Sequence, residues 1–224
     1  MPLPAAAGSL TVAPTTIELH AGRDIGVLHL TNESGAPMVA QLEAFDWSQT
    51  GGQDKLAQST ALIVSPPMAR LAPGAAQIVR LQADGADAPG ERSFRLLVTQ
   101  LPDPAAPKVA GINLLLQFSV PVFLDGAVPA QKANLAFDAV LKKDGLWLSA
   151  HNAGSAHVKL TRIALFRGDE KGPSIAGLFY VLSGAERAWK FSPAAIASGQ
   201  SLRIEATDSS GGPPIVANVV VHSG

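Results

Sequence analysis

Between residues 112 and 124 every even position is apolar: Ile112, Leu114, Leu116, Phe118, Val120, Val122 and Leu124. The odd positions are mixed, with Asn113, Gln117, Ser119 and Pro121 beside Leu115 and Phe123. A period of two marks a β-strand, because successive side chains point to opposite faces of a sheet. Proline donates no ladder hydrogen bond, so Pro121 argues for a strand at a sheet edge. A long apolar edge is an aggregation hazard unless something covers it or pairs with it.

The same alternation recurs along the chain and predicts strands at 10–13, 17–20, 26–31, 38–47, 61–65, 75–82, 92–101 and 111–124. Turn-forming runs separate them, among them Asn32-Glu-Ser-Gly-Ala-Pro37, Gln49-Thr-Gly-Gly-Gln53 and Pro102-Asp-Pro-Ala-Ala-Pro107. The pattern breaks around Asp125-Gly-Ala-Val-Pro-Ala130 and then resumes at 133–141, 146–152, 158–166, 179–182, 201–206 and 214–221. Lys142-Lys-Asp-Gly145 reads as a hairpin turn between two of these strands. No segment sustains a 3.6-residue apolar period, so the expected fold class is all-β. The economical arrangement is two immunoglobulin-like β-sandwiches, residues 1–126 and 127–224.

Composition narrows the function. The net charge is −1 with no dense Lys/Arg run, which removes the electrostatic footprint of a nucleic-acid binder. No apolar run reaches the roughly 18 residues of a membrane-spanning helix, so no membrane insertion is expected. The start, Met1-Pro-Leu-Pro-Ala-Ala-Ala-Gly-Ser9, lacks a basic region followed by an apolar one and is not expected to be a signal peptide. There is no cysteine for a disulfide or a thiolate metal site. His20, His29, His151, His157 and His222 form no His-x-His or His-x-x-x-His pair. His151 and His157 flank the turn at Asn152-Ala-Gly-Ser155, where two polar residues beside a solvated turn are the simpler reading. No Gly-x-Ser-x-Gly elbow occurs. No catalytic residue, metal or cofactor is expected.

One ordered set of residues carries more specificity. The run Ser65-Pro-Pro-Met-Ala-Arg-Leu-Ala-Pro-Gly-Ala-Ala-Gln-Ile-Val-Arg-Leu81 resembles the signature of the pilus-assembly chaperones of the chaperone–usher pathway. Leu10-Thr-Val-Ala-Pro-Thr-Thr-Ile17, Leu30-Thr-Asn32 and Ser93-Phe-Arg-Leu-Leu-Val98 agree with it, and a weaker likeness continues through the second half. The resemblance implies a periplasmic chaperone of two immunoglobulin-like domains set in an L, with no enzymatic activity. Its implied partners are pilin or fimbrial subunits and an outer-membrane usher, and a free chaperone could cap its own edge as a homodimer. In such chaperones the last strand of the first domain completes the sandwich of the subunit, a form of β-augmentation. By position the lending strand here is 112–122, with Ile112, Leu114 and Leu116 at the family's inserted positions and Phe118 and Val120 continuing that face. The same face could instead fill the first domain's own core.

The best-known members of that family hold the subunit's terminal carboxylate with an arginine on the first strand and a lysine on the last. The matching positions here are Thr16 and Pro121. Ser119-Val-Pro-Val-Phe123, Ser93-Phe-Arg-Leu96 and Trp47 look more like the divergent branch called archaic. A carboxylate brought into a cleft still needs a charge-assisted donor. Arg95, which interrupts an apolar strand next to the donor, is the first candidate, followed by Arg80 and Arg92. An arginine that snorkels or pairs internally would account for Arg95 equally. A two-domain adhesive or carbohydrate-binding surface protein would share the strand pattern. It would not require the set from Pro66 to Arg80, and a carbohydrate binder would want more exposed aromatics.

Overall fold

A strand that is apolar on one face buries that face by packing against a second sheet. The structure, a computed structural model, describes residues 10–85, 90–101, 115–126, 132–192 and 196–224. Every helix or strand among the described residues is a strand. Two compact units form, one from Met1–Trp47 with Leu56–Pro129 and the other from Ser48–Lys55 with Ala130–Gly224.

The first ten strands are β1 (Leu10–Ala13), β2 (Ile17–Leu19), β3 (Ile25–Asn32), β4 (Met38–Thr50), β5 (Gln53–Gln58), β6 (Leu62–Ser65), β7 (Met68–Leu71), β8 (Ala76–Ala83), β9 (Arg92–Leu101) and β10 (Gln117–Leu124). One sheet has the order β1-β3-β8-β6 and the other β2-β10-β9-β4-β5, with β7 also pairing with β4. Leu28, Leu30, Val79 and Leu81 of the first sheet share one core with Phe94, Leu96, Val98 and Val122 of the second. Full burial of such side chains gives roughly 1.5–3 kcal/mol each before ordering costs.

The remaining strands are β11 (Leu135–Lys142), β12 (Gly145–Asn152), β13 (Val158–Arg167), β14 (Glu170–Val181), β15 (Glu186–Phe191), β16 (Ser201–Asp208) and β17 (Ile215–Ser223). Their order is β14-β13-β16-β17-β11-β12-β15, and the β17–β11 link is a parallel pairing of Val221–Ser223 with Ala139–Leu141. The predicted hairpin is present, with Lys142 opposite Gly145. Its Asp144 accepts from Trp147 Nε1 at 3.1 Å and lies 2.8 Å from Lys190 Nζ. The hydrogen bond from Lys190, and then that from Trp147, hold this carboxyl below its ordinary range.

A buried asparagine clamps the same corner in both units. Asn32 Nδ2 donates to the carbonyls of Ala36 (2.8 Å) and Leu71 (3.1 Å), and its Oδ1 accepts from Ser34 N (2.9 Å). Asn152 Nδ2 donates to Ala156 (2.8 Å) and Val181 (3.2 Å), and its Oδ1 accepts from Gly154 N (3.0 Å). Each also takes part in backbone bonds to a glycine turn, Asn32 with Gly74 and Asn152 with Gly184. Both side chains are fully buried, and such groups are stable only when satisfied.

The structure departs from the sequence reading at several strands. β5 is exposed throughout, so its residues show no alternation to detect. Gly51 and Gly52 both have positive φ, at 60° and 75°, and turn β4 tightly into β5. β7 lies inside the Pro66–Leu71 set, and β15 follows the glycine turn at Gly184. β14 starts at Glu170 rather than 179, across Gly172, Pro173 and Gly177 that suggest a loop. Its register against β13 is broken twice by bulges, which is how a strand accommodates such residues.

Candidate functional site

β10 pairs with β9 along its whole length, from Gln117 opposite Thr99 to Leu124 opposite Arg92. Among the described residues its other side is paired for only three residues, where Val122–Leu124 lie parallel to Ile17–Leu19 of β2. The expected edge is therefore real from Gln117 to Pro121 among the described residues and is covered beyond it. The cover comes from the chain itself. β1 belongs to the first sheet, and after the bend at 14–16 the chain enters the second sheet as β2. Asp125 N donates to Leu19 O at 2.9 Å, and His20 Nδ1 lies 2.6 Å from the Asp125 carboxylate, tying the two strand ends together.

Burial divides the predicted donor face. Val122 and Leu124 are in the core, and so is Val120, which faces Leu96 across the pairing with β9. Val120, grouped with the donor face in the sequence pattern, is 3 % exposed and packs within its own sandwich. Phe118 is partly buried and packs against the same core. Leu116 is half-buried, and its carbonyl accepts from Gln100 N at 2.8 Å, which carries the β9 pairing one residue beyond β10. Ile112 and Leu114 lie outside the described residues.

The opposite face of β10 holds the charge. Arg95 is directly across from Pro121 on one side and from Phe45 on the other. Pro121 and Arg95 fall on one row of neighbouring strands, and Thr16 lies in the bend just before Ile17, the partner of Val122. The guanidinium carbon of Arg95 lies 3.6 Å from the centroid of the Trp47 ring, a stacked cation–π contact. Trp47 in turn leans on Phe123, with ring centroids 6.0 Å apart at 44°. Trp47 is 5 % exposed and Phe123 1 %. Sequence reasoning gave Trp47 no contact and left Phe123 among the mixed positions. Their signal was the odd-position alternation of Phe45 and Trp47 on β4 against Pro121 and Phe123 on β10.

The other two candidate arginines are elsewhere. Arg80 is exposed on β8 of the first sheet, opposite Val27 and Ser65, and outward of the buried Val79 and Leu81. It belongs to a different sheet from β10 and does not join the Arg95 row. Arg92 faces Leu124, donates from Nη1 to Asp84 O at 2.7 Å and lies 3.6 Å from the Asp46 carboxylate. His151 is paired with Glu186 across the β12–β15 ladder, and the His157 ring lies 5.9 Å from Tyr180. Among the described residues no group of three or more His, Asp or Glu side chains is placed to hold a metal.

Residues 9–127, more than half of the chain, match the family described as pili and flagellar-assembly chaperone, PapD N-terminal domain. The chain is 27% identical over 196 residues to the chaperone protein FimB/FhaD of Bordetella pertussis, covering 82% of this chain and 78% of that one. In fold it resembles a chain of the CsuC–CsuE chaperone–tip adhesion subunit complex from the archaic chaperone–usher Csu pili of Acinetobacter baumannii. That likeness has a TM-score of 0.74 at 21% identity, over 95% of this chain and 99% of that one. A chain of the Salmonella enterica SafA pilin–SafB chaperone complex gives 0.62 at 18% identity, over 95% and 96%. None of these matches is an adhesive or carbohydrate-binding module without a chaperone, and the non-chaperone alternative is not favoured. With its two immunoglobulin-like sandwiches and no enzymatic role in its family, the chain belongs to the pilus-assembly chaperones of the chaperone–usher pathway.

Proposed function

We propose that the protein acts in the periplasm, captures pilus subunits by lending them the strand that starts at Ile112, and delivers them to an outer-membrane usher. The observation that carries this reading is the open side of β10. From Gln117 to Pro121 its backbone pairs on one side only among the described residues, and an alternating apolar run leads into it. That combination suits strand addition, where main-chain hydrogen bonds give affinity and alternate side chains fill pockets. Ile112, Leu114 and Leu116 are the inserted residues, with Phe118 at the boundary where the strand returns to its own core. In the absence of a subunit, the same edge is available to a second copy, giving a self-capped homodimer.

Arg95 is the carboxylate anchor in this reading. It is a strand away from Pro121 on the row where relatives carry the lysine, so the positive charge is retained while its strand changes. Three inserted side chains contribute on the order of 4–9 kcal/mol gross, against about 1.5–3 kcal/mol for one charge-assisted hydrogen bond. The strand then supplies most of the affinity, and the anchor fixes register, where a one-residue slip would turn every side chain to the wrong face.

The test is co-expression with a pilin subunit encoded beside the chaperone's own gene. A one-to-one complex should elute from a sizing column with wild type. With Leu114→Asp or Leu116→Asp the chaperone should elute alone and folded. Full-stoichiometry complex with either variant would refute the donor-strand assignment.

A further inference from the structure

We infer that Trp47 and Phe123 form a positioning platform that fixes the plane of the Arg95 guanidinium, so that it reads a carboxylate through paired N–H groups. This rests on Arg95 as the anchor and adds what helps to orient its guanidinium. A guanidinium is planar, and its specificity for carboxylate comes from two parallel N–H donors presented in that plane. On a flexible stem that plane is undefined, and ordering it costs side-chain entropy at the moment of binding. Here the guanidinium carbon is 3.6 Å from the indole centroid, which is van der Waals stacking distance. The indole is itself held, being 5 % exposed and tilted against Phe123.

The pairing pattern shows why these residues meet. Phe123 is opposite Ser93, and Trp47 follows Asp46, whose partner is Phe94. Ser93, opposite Phe123, is a small residue next to Phe94, the partner of Asp46. Arg95 is two residues along β9 on the same face, so its stem reaches back onto the indole. A second basic residue could otherwise constrain a carboxylate from the other side, as the arginine–lysine pair implies for relatives. With Thr16 and Pro121 in those places, stacking on Trp47 contributes the orientation that the pair would supply.

The probe is a short alternating valine–threonine peptide, made with a free C-terminal carboxylate and as its C-terminal amide, titrated into the whole chaperone. Wild type should bind the carboxylate form about tenfold more tightly than the amide, the scale of one charge-assisted hydrogen bond. Arg95→Ala should erase that preference. Trp47→Leu should reduce it to below about twofold while leaving the amide's affinity unchanged, and Trp47→Phe, which keeps a ring, should retain part of it. A purely structural role for Trp47 would shift both peptides together. If Trp47→Leu keeps the full preference while Arg95→Ala loses it, the platform inference is overturned and the anchor assignment stands. If Arg95→Ala keeps the preference, or wild type has none, the anchor assignment fails and the platform with it. Should Trp47→Leu not fold, Trp47→Phe decides, because an unchanged preference there also overturns the inference.

Discussion

At the scale of residues, a stacked guanidinium keeps its charge while losing orientational freedom, so Arg95 is suited to reading a planar anion. Replacing it with alanine should weaken subunit capture by about tenfold or more, measured by calorimetric titration with purified subunit. Lysine at the same position should recover only part of the loss, because an ammonium cannot form the two-pronged contact or stack flat. The asparagine clamps act on stability. Asn32→Ala leaves the buried carbonyl of Leu71 and the less buried one of Ala36 short of a donor, and Asn152→Ala does the same for Val181 and Ala156. Each should cost about 2–4 kcal/mol in urea unfolding, with little change in m-value. A cost under about 0.5 kcal/mol, the size of a surface substitution, would contradict the clamp role.

At the scale of elements, β10 changes character along its length. Its start is one-sided and partly exposed, while its end is flanked by β9 and β2 and buried on both faces. Substitution should report that boundary. Val120→Asp places a charge in a packed core and should lower the unfolding temperature by more than 10 °C, since burying an unpaired charge costs several kcal/mol. Leu116→Asp should leave the unfolding temperature nearly unchanged and remove capture. Equal thermal losses in both variants would place Leu116 in the core as well. The alternation of β10 was legible because an apolar face two residues apart is local information. The cover by β2 was not, because that strand has three residues and its partner lies about a hundred positions away. Pro121 indicated an edge but could not show where the edge stops. β5 left no trace, since an exposed strand has no apolar face to alternate.

At the scale of the whole molecule, one plan serves twice: a sandwich closed at one corner by a buried asparagine under a glycine turn. The family was legible from the Pro66–Arg80 set because proline, glycine and arginine at fixed offsets specify a turn and the strand behind it. The pairing of Pro121 with Arg95 was not, since it joins two separate stretches of chain. The first unit has a second property that follows from its open edge. An apolar strand with an unpaired side should self-associate when no subunit is present, so the free chaperone should show a concentration-dependent dimer in sedimentation that subunit dissolves. A monomer at all concentrations would mean that the edge is shielded within one chain.

The donor strand is the central claim, and amide hydrogen exchange on free chaperone and on the chaperone–subunit complex tests it most directly. Strand addition predicts new protection in the complex concentrated at residues 112–119, with the already buried amides of 122–124 unchanged. Protection that appears elsewhere while 112–119 exchange as in the free protein would contradict it.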